Sequence, residues 1–326
     1  MKIFVTRKVP EPGLDALKKE FTVDVNPYDR VLTKEEIIKG LKGKDGLLCL
    51  LTDPIDKDVI NAEPHLKMIA SYAVGYDNID IATATKRGIP VSNTPGVLTE
   101  TTAELAWALL FSVTRRIVEG DTFTREGNFK GWAPMLMLGQ DVSHKTLGVI
   151  GTGRIGAAFA LKSKGFHMNV LYTDEQTNEQ LERELGAKKV SLTTLLKDSD
   201  FISIHVPLTK QTHHLIDEKE LHQMKKTAVL INTARGPIIN EKALVKALTE
   251  QWIFGAGLDV YEKEPEISEE LYRLQNVVLQ PHTGSGTIET RTKMALMAAE
   301  NMMIGLKGGI PPNCVNTEVF QKNPTT

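Results

Sequence analysis

The stretch LGVIGTGRIG, residues 147–156, lies in the middle of the chain and decides its fold. An apolar run, residues 147–150, leads directly into the glycines Gly151, Gly153 and Gly156. Apolar residues then recur at the three- and four-residue spacing of a helix. The stretch therefore predicts a buried strand, a tight glycine turn and a helix in succession.

The residues that follow have the spacing of a dinucleotide-binding turn. A second apolar run, residues 169–173, ends at Asp174, which follows Gly156 by 18 residues. A carboxylate about 20 residues after the last glycine binds the adenosine ribose in such folds. The alternative is a glycine-rich turn that binds nothing, and it gives no reason for Asp174. We therefore predict a dinucleotide site. The negative charge of Asp174 would repel a 2′-phosphate, so the sequence favours NAD over NADP.

Each glycine has a physical task in this prediction. Gly151 permits the tight turn, Gly153 lets the backbone approach a pyrophosphate, and Gly156 lets helix and strand pack closely. The pyrophosphate would lie on the N–H groups of Arg154 and Ile155 at the positive end of the helix.

Length and composition limit the classes of protein. The chain has 326 residues, 41% hydrophobic and 25% charged, which predicts two globular domains of ordinary composition. A net charge of −2 gives no reason to expect nucleic acid as a partner. The two cysteines, Cys49 and Cys314, have no metal-ligand spacing, and we expect reduced thiols in a cytoplasmic protein without a metal. No apolar run reaches the roughly 18 residues of a membrane span, so we expect no membrane contact.

Strands and helices alternate on both sides of the glycine turn. Apolar runs predict strands at residues 3–6, 21–25, 46–51, 68–73 and 90–92 before it, and at 201–206, 228–231, 254–258 and 277–279 after it. Such alternation is typical of parallel sheets covered by helices. We expect two doubly wound α/β domains with an active cleft between them. A Rossmann-type cofactor domain, residues 99–287, is inserted in a flavodoxin-like substrate domain formed by residues 1–98 and 288–326.

Two segments between these strands predict packing surfaces. Residues 99–118 predict a helix, and its stretch Leu105–Phe111 is apolar nearly all round, which is typical of a buried helix. Residues 127–144 show no strand or helix period, yet they contain Phe129, Trp132, Met135, Leu136, Met137 and Leu138. We interpret this segment as a homodimer contact, because a monomer would expose much of it. The alternative is that it folds back over its own domain.

Polar side chains end three of the later strands. Arg235, Asp259 and His282 each follow an apolar run, and ligands bind at the carboxyl ends of strands in open α/β sheets. We expect these residues to converge on the reactive end of the cofactor. Glu264 follows Asp259 on a loop and can reach His282. The neighbouring pair His213-His214 suggests a metal site, but adjacent residues point apart, so we expect solvated loop histidines.

These motifs resemble the signatures of the D-isomer-specific 2-hydroxyacid dehydrogenases over nearly the whole chain. They are Asn232-Thr-Ala-Arg-Gly236, Gly257-Leu-Asp-Val260 with Glu264-Pro265, Pro281-His-Thr-Gly-Ser285, Val74-Gly-Tyr-Asp-Asn-Ile-Asp80, Thr94-Pro95, Thr102-Ala-Glu104 and Val206-Pro-Leu-Thr209. Residues 46–53 and Trp132-Ala-Pro with Leu138-Gly139 are similar to the glyoxylate/hydroxypyruvate reductase branch. Members of that branch that use NADPH carry basic residues where this chain has Asp174-Glu175, which again favours NADH.

The resemblance implies NADH-dependent reduction of a small 2-keto acid, glyoxylate or hydroxypyruvate, to the D-2-hydroxy acid. Arg235 would hold the substrate's carboxylate and carbonyl oxygens with its planar fork. His282 would donate the proton. Glu264 would orient the imidazole and favour its protonated form.

The remaining site residues are also implied by the resemblance. The N–H groups of Val74 and Gly75 would hold the substrate's carboxylate, and Asp259 would hold the nicotinamide carboxamide. Substrate contacts are further expected from Leu51, Ser285 and the partner subunit's Trp132. Further cofactor contacts are expected from Val206, Pro207, Thr212, Thr233, Ala234 and Gly284.

Two alternatives stay open at this point. One is D-3-phosphoglycerate dehydrogenase, which often carries an additional regulatory domain that we do not expect here. The other belongs to a different class, a dinucleotide-sensing transcriptional corepressor on the same fold. Turnover separates an enzyme from such a sensor, because an enzyme oxidises NADH steadily with glyoxylate, whereas a sensor binds NADH and turns over slowly.

Overall fold

The computed structural model describes residues 1–321 and divides the chain into two compact units. The first unit is formed by Met1–Leu98 together with Gly286–Thr326, and the second by Thr99–Ser285. Residues 322–326, which belong to the predicted returning segment 288–326, lie outside the described residues. No helix within residues 1–321 is long and apolar enough to cross a membrane.

The first unit contains a five-stranded parallel sheet. Its strands are β1 (Lys2–Val5), β2 (Thr22–Val25), β3 (Gly46–Cys49), β4 (Met68–Ser71) and β5 (Val91–Ser92), in the order β2-β1-β3-β4-β5. Its helices are α1 (Glu11–Lys18), α2 (Lys34–Leu41), α3 (Lys57–Ala62), α4 (Ile81–Lys86) and the last helix of the chain, α12 (Ile288–Leu306). This is the flavodoxin-like order, and β3 and β4 are fully buried because helices cover both faces.

The second unit contains a seven-stranded parallel sheet. Its strands are β6 (Thr146–Ile150), β7 (Asn169–Thr173), β8 (Lys188–Lys189), β9 (Phe201–Ile204), β10 (Val229–Asn232), β11 (Gly255–Leu258) and β12 (Val277–Leu279), in the order β12-β11-β10-β9-β6-β7-β8. Its helices are α5 (Thr99–Thr114), α6 (Ile117–Arg125), α7 (Arg154–Lys162), α8 (Glu179–Leu185), α9 (Leu192–Asp198), α10 (Glu218–Leu221) and α11 (Glu241–Thr249). The strand order reverses at β6, as in Rossmann folds, where ligands bind at the switch point. The predicted fold class of two doubly wound parallel sheets is confirmed.

The prediction of one helix over residues 99–118 is wrong about where that helix ends. α5 stops at Thr114, and α6 begins at Ile117. Arg116 between them has a left-handed backbone with φ 52°, which an α-helix does not tolerate. The buried character of α5 is confirmed, since Trp107 stacks on Phe159 of α7 with ring centroids 5.0 Å apart.

Residues 127–144 form neither a helix nor a strand. The side chains of Trp132 and Met135 are 85% and 76% exposed, and those of Phe129 and Leu138 are more than half exposed. The segment therefore leaves most of its apolar side chains exposed rather than buried against its own unit.

Candidate active site

The turn between β6 and α7 depends on two close approaches. Gly151 has φ +89°, and a Cβ there would lie 2.7 Å from Cγ1 of Val206. A Cβ on Gly156 would lie 2.0 Å from the carbonyl oxygen of Gly151, so only glycine lets the helix approach the strand this closely. A Cβ on Gly153 would meet nothing within 4 Å, which leaves this side of the turn open to a ligand.

A hollow of about 470 Å³ opens beside this turn in the second unit. It is lined by Thr152, Gly153, Asp174, Gln176, Thr177, Asn178 and Glu179. α7 begins at Arg154, so the N–H groups of Arg154 and Ile155 have no acceptor within the helix. The hollow is thus lined by the Asp174 carboxylate and by Gly153, which immediately precedes the positive end of α7.

Asp174 is held in place by the turn itself. Its Oδ2 accepts hydrogen bonds from the backbone N–H and the hydroxyl of Thr152, at 2.6 and 3.0 Å. Burial raises the pKa of the Asp174 carboxyl, but the hydrogen bonds from Thr152 and from the backbone of Gln176 and Glu175 together hold this pKa below its ordinary value. Asp174 is therefore a carboxylate at neutral pH, with further lone pairs for a ribose.

Five further predicted cofactor residues lie on the loops after β9 and β10, namely Val206, Pro207, Thr212, Thr233 and Ala234. Thr212 donates a hydrogen bond from its hydroxyl to the carbonyl oxygen of Pro207, at 2.6 Å, and so closes the loop that begins at Val206. The hydroxyl of Thr233 is buried and has no hydrogen-bond partner among the described residues. The backbone N–H of the next residue, Ala234, donates to the side chain of Asn232 at 3.0 Å.

These features fit a nicotinamide dinucleotide. The open cradle at Gly153, the charged Asp174 and the start of α7 match the needs of a pyrophosphate and a ribose. The unpartnered hydroxyl of Thr233 provides one further polar group at the carboxyl edge of the sheet.

Arg235 follows β10 and is half-buried. Its Nη1 donates to the carbonyl oxygen of Ala234 at 2.8 Å, and its own carbonyl oxygen accepts from Asn232 at 2.9 Å. A Cβ on the next residue, Gly236, would lie 1.9 Å from the carbonyl carbon of Tyr261. The loop that carries Arg235 is therefore packed directly on the loop that carries Glu264.

Glu264 and His282 form a hydrogen-bonded pair. Oε2 of Glu264 lies 2.8 Å from Nδ1 of His282, and the two side chains are only 26% and 25% exposed. Oε1 of Glu264 accepts from the backbone N–H of Tyr261 at 3.0 Å, which fixes the carboxylate. Within residues 1–321 no hydrogen bond to Nε2 of His282 is present, so this nitrogen is available to a ligand.

The charge on Glu264 is maintained by its neighbours. Burial raises the pKa of the Glu264 carboxyl, but the hydrogen bond and charge of His282, the backbone hydrogen bond from Tyr261 and the charge of Arg235 together lower it by more. The net pKa lies below its ordinary value. A carboxylate held this way fixes the orientation of the imidazole beside it.

Asp259, at the end of β11, has no exposed surface. Its Oδ1 accepts from the backbone N–H of Thr283 at 2.7 Å, and its Oδ2 accepts from that of Gly284 at 2.8 Å. Both bonds hold the turn just after His282. His282 itself has a left-handed backbone with φ 54°. Asp259 thus orients the turn that presents the histidine, and its contact with a nicotinamide stays a prediction.

In the first unit, Val74 and Gly75 follow β4, and half-buried Leu51 follows β3. The buried Asn93 donates from Nδ2 to the carbonyl oxygen of Val74 at 2.8 Å. In a trans peptide the C=O and N–H groups point in opposite directions. Asn93 therefore fixes the direction of the Gly75 N–H group.

Two other predicted substrate residues lie in the second unit. Ser285 is half-buried just after the turn of His282, and Trp132 is exposed on the segment 127–144. Sequence reasoning did not single out Asn93 or Glu241, a buried acid at the start of α11. No sequence signal marks them, because each is one polar residue whose partners are distant along the chain.

The predicted solvated pair His213-His214 is correct only for His213. His213 is exposed, whereas His214 is half-buried with Nε2 3.2 Å from Oε1 of Glu262. His214 is drawn inward because its backbone N–H donates to the carbonyl oxygen of Pro237 at 2.8 Å. In residues 1–321 there is no group of three or more His, Cys, Asp or Glu side chains that could hold a metal ion.

The chain is similar to known proteins over nearly all of its length. The family model described as D-isomer specific 2-hydroxyacid dehydrogenase, NAD binding domain, matches residues 107–284. A protein of Korarchaeum cryptofilum named glyoxylate reductase is 53% identical over 325 residues, covering 99% of this chain and 98% of the relative.

Solved structures are similar along the same length. A protein of Thermus thermophilus is 44% identical with a TM-score of 0.92, covering 97% of this chain and 100% of that one. An NADPH-dependent glyoxylate/hydroxypyruvate reductase of Sinorhizobium meliloti, in complex with NADP and malonate, is 30% identical with a TM-score of 0.86, covering 99% of both chains. The resemblance predicted from the motifs is thereby confirmed, and the chain belongs to the D-isomer specific 2-hydroxyacid dehydrogenase family as an oxidoreductase.

Proposed function

We propose that this chain reduces a small 2-keto acid, glyoxylate or hydroxypyruvate, to the D-2-hydroxy acid with NADH. The observation that carries the proposal is the pair of Glu264 and His282 at 2.8 Å, on loops packed against that of Arg235. The names of the relatives at about half identity favour glyoxylate over larger substrates.

His282 is the proton donor in this proposal. Nδ1 is engaged by Glu264, so Nε2 faces the substrate and gives its proton to the oxygen that was the carbonyl. Glu264 holds the imidazole in the orientation that leaves Nε2 for the substrate. The bound dinucleotide supplies the hydride.

Arg235 anchors the substrate. A guanidinium presents several N–H donors in one plane, so it holds a carboxylate oxygen and the neighbouring keto oxygen together. Its charge also stabilises the negative charge that develops on the keto oxygen during reduction. Val74 and Gly75 hold the other side of the carboxylate through backbone N–H groups, and Asn93 orients that peptide.

NADH is the proposed cofactor because of the charge on Asp174. A carboxylate accepts hydrogen bonds from ribose hydroxyls but repels a 2′-phosphate. One cation lies close by, since Nζ of Lys189 donates to the carbonyl oxygen of Glu175 at 2.9 Å. We therefore expect NADPH to be used less well, rather than not at all.

We also propose that the protein is a homodimer in which a second copy covers residues 127–144. A groove of about 1440 Å³ lies in the same unit, between α6 and residues 271–280. Val113, Phe123, Met137 and Tyr272 are among its lining residues. An exposed apolar segment beside a groove with apolar lining is typical of a surface that pairs with its own copy.

The decisive test combines a substrate panel with one variant. Purified protein is assayed with NADH and with NADPH against glyoxylate, hydroxypyruvate, pyruvate and bulkier 2-keto acids. His282→Ala should lower kcat by about a hundred- to ten-thousand-fold, while NADH binding measured by fluorescence is retained. Near-normal turnover in His282→Ala would refute the assignment of the acid. NADH binding without turnover of any keto acid by the unmodified protein would favour a sensor.

A further inference from the structure

A buried carboxylate outside the proposed catalytic pair holds the loop on which that pair depends. Glu241, the first residue of α11, is only 9% exposed. Its Oε2 accepts from the backbone N–H of Glu262 at 2.9 Å. Its Oε1 accepts from the backbone N–H and the hydroxyl of Ser268, at 3.0 and 2.6 Å.

The bonding is reciprocal at one end. Oε2 of Glu262 accepts from the backbone N–H of Glu241 at 2.9 Å. Oε1 of Glu262 lies 3.2 Å from Nε2 of His214. The start of α11 and the start of the loop are therefore joined by two hydrogen bonds in opposite directions, which allow little sliding between them.

These contacts flank Glu264 in the sequence. Residue 262 lies two positions before it and residue 268 four positions after it, so a single carboxylate clamps both sides of the short segment that presents Glu264. On the preceding side, the hydroxyl of Tyr261 donates to the carbonyl oxygen of Gln280 at 2.8 Å. That bond joins the same loop to the end of β12, two residues before His282.

We infer that Glu241 is a positioning residue for the acid–base pair, holding Glu264 at hydrogen-bond distance from His282. The inference rests on the proposed function. Loss of the Glu241 carboxylate leaves the N–H groups at both ends of the loop without their buried acceptor. The loop must then move to solvate them, and Oε2 of Glu264 moves away from Nδ1 of His282.

The main variant is Glu241→Gln, which keeps the size but replaces one acceptor oxygen with a donor NH₂ group. That NH₂ group must face one of the donors of Glu262 or Ser268. We expect kcat for glyoxylate reduction to fall about ten- to hundred-fold with little change in KM for NADH. The pH profile of kcat should move to lower pH, as it should in Glu264→Gln, because the protonated imidazole loses its partner. Glu270→Gln, the same change at an exposed residue near the loop, is the matched control and should behave like the unmodified protein.

The double variant distinguishes positioning from a general loss of stability. If Glu241 acts through Glu264, then Glu241→Gln combined with Glu264→Gln should have the kcat of Glu264→Gln alone, within about two-fold. Multiplied losses, or a pH profile unchanged by Glu241→Gln, would overturn the inference. Ser268→Ala removes one hydrogen bond to Glu241 and leaves the carboxylate in place. If Glu241→Gln does not fold, Ser268→Ala is tested instead. A shift of its kcat profile to lower pH supports the inference, and an unchanged profile contradicts it. A different result would contradict the proposed function itself, namely that His282→Ala and Glu264→Gln keep the activity of the unmodified protein.

Discussion

Among single residues, Arg235 offers the sharpest test of substrate anchoring. Arg235→Lys keeps the positive charge but loses the planar fork. We expect kcat/KM for glyoxylate to fall about ten- to hundred-fold, the effect of a lost charge-assisted hydrogen bond of about 1.5–3 kcal/mol, with KM for NADH unchanged. Arg273→Lys, at a residue whose side chain is 79% exposed, is the control. A lysine that works nearly as well would mean that Arg235 acts as a point charge only.

Asp174 is the residue that tests the choice of cofactor. Asp174→Ala removes the acceptor for the ribose and also the charge that repels a 2′-phosphate. We expect kcat/KM for NADH to fall about ten-fold or more and the ratio of NADH to NADPH activity to move toward one. Glu184→Ala changes an exposed acid of α8 outside the hollow and should leave the ratio nearly as it was. A preference of the unmodified protein for NADPH would contradict the role given to Asp174.

Between elements, Asp200 links the starts of three strands of the second sheet. Its Oδ2 accepts from the N–H of Thr146 at 2.9 Å and its Oδ1 from Nζ of Lys225 at 2.8 Å. Its backbone carbonyl accepts from the N–H of Val229 at 3.1 Å. Burial raises the pKa of the Asp200 carboxyl, but the bonds from Lys225 and Thr146 outweigh it, so this pKa is lowered.

A lowered pKa has a definite consequence for stability. The contribution of Asp200 is fully present above the ordinary aspartate pKa of about 3.9, and it is lost as the pH falls through the folded value. Asp200→Asn should lower the free energy of unfolding at pH 7 by about 1–3 kcal/mol. It should also make that free energy fall less between pH 5 and pH 3. Urea titrations at both pH values measure this, with exposed Asp198→Asn as control. If the free energy of unfolding falls equally between pH 5 and pH 3 in Asp200→Asn and in Asp198→Asn, the linkage is ruled out.

In the whole molecule, we expect Trp132 to reach the active site of the partner subunit in the proposed dimer. An indole there would narrow the substrate pocket. Trp132→Ala should raise KM for glyoxylate and admit bulkier keto acids, while NADH affinity changes little. Phe129→Ala, which removes another exposed aromatic ring of the same segment, is the control for a general effect on the segment.

Mixed dimers show which subunit supplies the indole. Subunits with Trp132→Ala are exchanged with subunits that carry His282→Ala, and glyoxylate reduction is measured. If Trp132 acts on the partner, each mixed dimer has about one normal site, made of an intact His282 and the other subunit's intact Trp132. Failure to restore activity, with subunit exchange verified by mass, would exclude this arrangement.

Much of this protein follows from local patterns in its sequence. The glycines at 151, 153 and 156 predict the turn because their roles depend on neighbours within a few residues, and Gly156 indeed allows a 2.0 Å approach that a Cβ would forbid. The capping box at the start of α2 is local for the same reason, since the Thr33 side chain accepts from the backbone N–H of Glu36 and the Glu36 side chain accepts from that of Thr33. Apolar runs predicted 11 of the 12 strands now described; the exception, β8, is two exposed lysines without an apolar signal.

Other features depend on contacts between distant segments, and only the tertiary structure decides them. The end of the helix at Thr114 and the inward turn of His214 depend on backbone geometry that no local pattern predicts. Glu264 was expected near His282, but the 2.8 Å distance depends on the packing of two loops 18 residues apart in sequence. Asn93 and Glu241 acquire their roles solely from hydrogen-bond partners that folding brings to them. The sequence around a single polar side chain does not indicate which distant group it will bond.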